Sequence, residues 1–335
     1  LEAMSGHLVQ AIPARVSPLG AVVGRHSGRV FVTAAQVGLF GSSRTGSVLK
    51  VVRGQVEPLA AAPGMPQGVA VDERANRVIV VGDADGGTVS VLDATSGRLV
   101  HRTAIGMILI GQTLAVDEAR GRTFVSTANL AADKGSVSVF DSHSGRRLHT
   151  IALPSMPVGI TADERTGHVF VSTMGPATLI NGGPGLGRQP LPVSAGHGSV
   201  VMLDARSGSV IRSVPVGIGP GAMAVDARHE HLLVTNVGAM DSTGNPLGPG
   251  RVSVLDTRSG VVRRTVPVGI APGDVAVDER AGRALVLNLG GTVHVTDVWT
   301  WLPSWLRRWL PFLPRQAPGA RTVGGSVTVL DTTRL

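Results

Sequence analysis

Residues 114–159 hold four short apolar runs separated by turn residues, and the same phrase begins again at Ile160. The first half reads L-A-V-D-E-A-R-G-R-T-F-V-S-T. After a polar gap the second half reads G-S-V-S-V-F-D-S-H-S-G-R-R-L-H-T-I-A-L-P. Asp117 and Gly121 mark the first turn, Asp133 to Gly135 the second gap, and Asp141 to Gly145 the third turn. A chain that turns every eight to twelve residues or so consumes Gly and Pro. Here there are 45 and 21 of them, too many for a helical protein.

Four strands in a period of about 40–45 residues define one blade of a β-propeller. Full units start near Ala21, Val69, Leu114, Ile160, Met223 and Val275. The sixth ends at 326–331, S-V-T-V-L-D, a third strand with no fourth after it. The missing piece stands at the other terminus. H-L-V-Q-A-I-P-A-R-V-S-P-L-G at 7–20 matches the end of a repeat, as V-V-R-R-T-V-P-V-G does at 261–269. The expectation is therefore an all-β, six-bladed β-propeller of four-stranded blades over 1–335. The N-terminal strand 7–15 would complete the last blade by pairing with 326–330, which removes two free sheet edges.

Ten aspartates recur at fixed places. Asp72, Asp117, Asp163, Asp226 and Asp278 end first strands; Asp93, Asp141, Asp204, Asp256 and Asp331 end third strands. An Asp that bonds backbone two residues on, followed by a Gly at positive φ, is turn chemistry. Recurrence in every unit argues for that role over paired catalytic carboxylates.

The phrases F-V-T-A (31–34), F-V-S-T (124–127 and 170–173), L-V-T-N (233–236) and L-V-L-N (285–288) resemble the YVTN repeat. With V-S-V-L-D-x-x-S-G and the P-V-G-x-x-P-G of 215–221, they make the chain similar to the YncE-like bacterial β-propellers. Familiar members of that family have seven blades, against six counted here. The resemblance implies an extracytoplasmic or cell-surface binding protein and brings no catalytic motif with it.

Composition narrows the classes further. A hydrophobic share of 43% supports a large core and excludes a disordered chain. Without cysteine there are no disulfides and no thiolate metal sites; this suits an extracytoplasmic protein. No run of eighteen apolar residues exists to cross a membrane as a helix. The chain opens Leu1-Glu2-Ala3, which leaves a removed signal peptide open. Net charge is +8 and all but two of the 31 basic residues are Arg. Most fall in turns and last strands, a solubility pattern, although nucleic acid stays an alternative partner.

Departures from the repeat locate function. All three insertions, 174–198, 238–250 and 289–324, fall between second and third strands, so they share one rim, and loops on a rigid scaffold carry function. The last holds every Trp: Trp299, Trp301, Trp305 and Trp309, with Phe312 and the basic pair Arg307 and Arg308. Three readings compete for it: a lid over the channel, a partner-docking element, or a shallow membrane contact. T-V-H-V-T at 292–296 also resembles a third strand, in which case the insertion begins after Asp297.

At the channel mouth on that rim the repeat places Gln67, Asp83, Gln112, Asn129, Asn236, Asp274 and Asn288, with His197 beside them; these suit a small polar ligand. His294 is the other histidine near the rim, and His26, His143, His168, His229 and His231 belong to turns of the opposite face. There is no G-x-S-x-G elbow, Cys–His pair or H-E-x-x-H. The 182–187 glycines lack the Gly-Lys-Ser/Thr of a phosphate loop, and Asp241, Ser242 and Asn245 lack the acidic count of a calcium loop. The reading is a monomeric recognition scaffold without cofactor that binds a protein or small polar ligand. The alternative is a lactonase- or lyase-like propeller enzyme using a divalent metal, by fold analogy alone.

Overall fold

A computed structural model describes residues 17–37, 44–106, 113–129, 132–181, 190–194, 196–241, 244–295 and 319–335. These form five four-stranded antiparallel sheets, a sixth of three strands, and two separate hairpins. Sheet one is β1 (Ser17–Val23), β2 (Val30–Val37), β3 (Arg44–Val52) and β4 (Gln55–Pro63). Sheet two is β5 (Pro66–Asp72), β6 (Arg77–Gly82), β7 (Thr88–Asp93) and β8 (Leu99–Ala104). Sheet three is β9 (Leu114–Asp117), β10 (Arg122–Asn129), β11 (Lys134–Asp141) and β12 (Arg147–Leu153).

In sheet four, β13 (Pro157–Asp163) and β14 (His168–Thr173) are followed by a hairpin of β15 (Ala177–Asn181) and β16 (Pro190–Ser194). The sheet then resumes with β17 (His197–Asp204) and β18 (Val210–Ile218). Sheet five is β19 (Pro220–Asp226), β20 (His231–Asn236), β21 (Arg251–Asp256) and β22 (Val262–Pro267). Sheet six starts with β23 (Pro272–Asp278) and β24 (Arg283–Asn288). A second hairpin, β25 (Gly291–Val295) with β26 (Gly319–Val323), precedes its last described strand, β27 (Ser326–Asp331). β27 pairs with β24 from Asn288↔Ser326 to Arg283↔Asp331. T-V-H-V at 292–295 is thus an arm of the inserted hairpin, and 326–331 is the third strand.

Hydrophobic alternation is lost in the middle strands because both faces are covered: β7 and β21 are buried almost throughout. Separate clusters of buried apolar residues fill the spaces between sheets one and two, two and three, three and four, four and five, and five and six. A fully buried Val or Leu in such a layer contributes about 1.5–3 kcal/mol. The fourth strands are the wet edges, with an exposed Arg147 on β12 and exposed Arg263 and Arg264 on β22. On sheet six, Leu285, Leu287, Val327 and Val329 stay exposed, as do Leu19 and Val23 on β1. The segment expected to close the ring, 7–15, lies outside the described residues.

The repeat is locked by hydrogen bonds that recur from sheet to sheet. The third-strand aspartates Asp93, Asp141, Asp204 and Asp256 each accept the backbone N–H and the hydroxyl of the Ser three residues on. The Gly after that Ser has φ between 70° and 73° at Gly97, Gly145, Gly208 and Gly260, a conformation that costs Gly least. The hydroxyl of the YVTN-like phrase donates to a carbonyl in or beside a first strand: Thr33 to Gly20, Ser126 to Thr113, Thr235 to Ala222, and Ser172 to Gly221 of the next sheet. These bonds explain why small hydroxyl residues hold that buried place.

Candidate functional site: a central channel and an inserted rim

The first strands of all six sheets surround one cavity of about 810 Å³. Gly20, Gly68, Gly221 and Gly273 bring backbone to its wall, and Gln67, Asp274 and Arg25 supply polar side chains. The Gln67 Oε1 is buried there without a protein partner. Asp274 Oδ1 accepts the N–H of Val275 at 2.8 Å, so one of its oxygens is engaged locally. Gly68 and Gly221 face large or polar neighbours at close range; a Cβ on Gly68 would fall 2.6 Å from Leu114 Cδ2.

A second cavity of about 350 Å³ lies on the inserted rim where sheets four and five meet. Its apolar wall is Ile218, Leu247 and Pro249, and its polar groups are His197, Asn236 and Arg251. Each arrives for a structural reason. His197 opens β17 straight after the first inserted hairpin, and its Nδ1–H donates to the Val216 carbonyl at 2.8 Å, which fixes the ring. Arg251 opens β21 after the second insertion and pairs with Asn236 across the ladder. The second insertion folds back on itself through the Met240↔Pro246 bridge and the Leu247 N–H to Ala239 carbonyl bond at 2.9 Å. Arg251 brings a guanidinium to the cavity wall, and among the described residues no carboxylate is seen paired with it.

The sequence-predicted residues therefore separate into groups. His197 and Asn236 share the rim cavity, and Gln67 and Asp274 line the channel. Asp83 Oδ1 accepts the Met65 N–H at 2.7 Å, and Asn129 Oδ1 accepts the Ala132 N–H at 3.2 Å, so both hold loop backbone. Asn288 is 1% exposed, and its side-chain N–H groups reach Thr328 Oγ1 at 2.9 Å and the Val286 carbonyl. Gln112 and the Trp segment with Trp299, Trp301, Trp305, Arg307, Arg308, Trp309 and Phe312 lie outside the described residues. Arg251 and Leu247 were missed by sequence reasoning. The first ends a Gly/Pro loop like many others, and only the fold sets it beside His197.

At the opposite end the turns are tight. His229 Nδ1 bonds Asp226 Oδ2 at 2.8 Å and its ring stacks on His231 at 6.2 Å between centroids. Burial and then the Arg263 charge push His231 below its ordinary value. Burial works to raise Asp226, yet hydrogen bonds from His229 and Thr332 hold it below the usual carboxylate range. The pair is thus committed to its turn. Glu73 is held at about 2: burial opposes ionisation, but hydrogen bonds from the Ser27 hydroxyl and from the His26 and Ser27 N–H groups prevail. Burial pushes Glu118 up, opposed by a hydrogen bond from the Glu73 N–H and reinforced by the carboxylates of Asp72, Glu164 and Glu73.

Six sheets that each turn their first strand to a common cavity define a β-propeller. Solved structures agree on this fold. Hydrazine synthase of Kuenenia stuttgartiensis matches with a TM-score of 0.60 at 17% identity, over 83% of this chain and 82% of that one. The WD40 domain of Neurospora crassa Pan2 matches at 0.54 and 13% identity, over 85% and 76%. A 6-phosphogluconolactonase-like protein of Bacteroides uniformis matches at 0.52 and 14% identity, over 84% and 82%. At these identities the likeness concerns the fold alone. No family model and no curated protein sequence matches the chain.

Proposed function

We propose that the chain is a recognition scaffold of the YVTN-repeat, YncE-like kind that works outside the cytoplasm and binds through its inserted rim. The observation that carries the reading is the rim cavity itself. It joins an aliphatic wall to Arg251 and to the Nε2 side of His197, where two of the three insertions meet. That chemistry fits a small amphipathic carboxylate, or an acidic side chain with an apolar neighbour on a protein partner. The absence of cysteine is in keeping with an extracytoplasmic setting.

Ring closure belongs to the same proposal. Sheet six is one strand short among the described residues, and 7–15 carries the phrase that forms β22 in sheet five. Pairing 7–15 with 326–330 would supply the fourth strand and bring both ends of the chain into one sheet.

Thermal-shift titration of the chain with 4-methylpentanoate and benzoate, against the matching alcohols, tests the ligand class. Carboxylates are expected to raise the melting temperature and the alcohols to leave it unchanged. An equal response to both, or one that survives Arg251→Ala, would sink the assignment.

A further inference from the structure

The end of the channel away from the insertions carries a set of glutamates that reach from one sheet to the previous one. Glu73, Glu118, Glu164 and Glu279 each follow the Asp that closes a first strand; Gly24 and Ala227 hold that place in sheets one and five. Glu279 Oε1 accepts the Ala227 N–H at 3.0 Å. Glu73 accepts the N–H groups of His26 and Ser27 at 2.7 and 3.0 Å. Glu118 accepts from the Glu73 N–H in the same manner. These bonds tie adjacent turns; they engage both oxygens of Glu73, whereas Glu118 is left with one oxygen unserved.

Glu118 departs from the pattern. It is 9% exposed, and its Oε2 is buried without any hydrogen-bond partner. A buried oxygen in that condition is destabilising, and more so when charged. Next to it stand Glu73 and His26, and one carboxylate oxygen of each glutamate and a ring nitrogen of His26 lie within 4.8 Å of one another. His26 Nδ1 is 3.3 Å from Glu73 Oε2. Among the described residues no Arg or Lys pairs with either carboxylate, although the chain carries a net charge of +8.

We propose that His26, Glu73 and Glu118 form a binding site for one divalent transition-metal ion, of the kind represented by Zn²⁺ and Mn²⁺. Two carboxylate oxygens and one imidazole nitrogen are a donor set for such ions, and the softer thiolate-seeking ions are not served. Donors on one Zn²⁺ lie about 2.0–2.2 Å from it, hence roughly 3–4 Å apart, so a small inward movement of the three side chains completes the site. Calcium needs six to eight oxygens or so and finds too few here. The ion would give the orphaned Glu118 oxygen its partner and would clamp the turns of sheets one, two and three together. Gly24 makes room: a Cβ there would fall 2.6 Å from Glu73 Cδ.

The chain freed of metal with a chelator is titrated with Zn²⁺ against a chromophoric indicator, and with Mn²⁺ followed by electron paramagnetic resonance. One equivalent is expected to bind and to raise the melting temperature. Glu118→Gln and His26→Gln should each weaken binding at least tenfold, while His229→Gln should leave it unchanged. Because the His26 side chain is 72% exposed, His26→Gln tests the site even if Glu118→Gln does not fold. Absence of a stoichiometric site, or binding that persists undiminished in His26→Gln, would overturn the proposal. So would loss of binding in His229→Gln, which would move the ion to another turn.

Discussion

Asn236 donates its side-chain N–H to Ser253 Oγ at 3.0 Å, across the second and third strands of sheet five and directly beneath the rim cavity. The same carboxamide reaches the Val234 carbonyl at 3.0 Å and packs on Gly217, where a Cβ would lie 2.7 Å from its Cγ. Sheet six repeats the arrangement with Asn288 and Gly269, at 2.6 Å. Gly217→Ala should therefore destabilise by about 1–3 kcal/mol, since the fault is overpacking and the Gly backbone is ordinary. Asn236→Leu should cost a similar amount by stranding the Ser253 hydroxyl and Val234 carbonyl. Denaturant midpoints measure both, and a neutral Gly217→Ala would show that the carboxamide can move aside.

Stability should fall in acid partly through Asp256. Burial raises its carboxyl, but the Ser259 N–H and hydroxyl and the Arg263 guanidinium bring it down to about 2. A carboxylate depressed in the folded state stabilises fully above its unfolded value, near 4, and loses that contribution as pH falls toward 2. Asp256→Asn should thus lose about 1 kcal/mol at neutral pH, after allowance for solvent screening, and only a small part of that at pH 2, where the folded-state carboxyl is about half protonated. Unfolding curves at the two pH values check the sign.

Sheets four and five are joined by the Ser172 hydroxyl, which donates to the Gly221 carbonyl at 2.8 Å, and by Glu230, which holds Arg165 at 2.8 Å and Arg258 at 3.0 Å. Ser172→Ala should cost about 1–2 kcal/mol because the residue is fully buried and a carbonyl loses its donor. Glu230→Gln should cost well under 1 kcal/mol, the exposed pair being screened by water and salt. If the two variants proved equal, the sheet contact would be governed by surface charge.

On the proposed closure, removing residues 1–15 should lower the melting temperature sharply and promote association, because β27 would lose its partner beside exposed Val327 and Val329. Calorimetry and light scattering on the truncated chain measure this. A truncated chain as stable as the full one would show that the ring does not depend on that strand.

At the rim, Arg251→Ala should abolish the carboxylate-induced thermal shift without altering the unliganded melting temperature by more than a degree or so, since the residue is exposed. Ala239→Phe should block the same response by filling the cavity.

Much of the fold was legible because its determinants are local. The Asp-x-x-x-Gly turns, the Ser-Gly caps and the small hydroxyl before the strand end act within a few residues or between paired strands. Their recurrence made the sheets countable from the chain alone. Asp83 and Asn129 show the limit: residue type and position placed them at the channel mouth, but that each holds a loop N–H is visible only in the structure. Which polar groups meet depends on how separate sheets stack about the axis, and nothing local records that. Arg251 reaches His197 only because sheets four and five adjoin, and Glu118 lies against Glu73 and His26 only because three turns converge. Strand, turn and blade were set by neighbours in sequence; the rim cavity and the acidic pocket were set by packing between blades, where burial decides which charge keeps a partner.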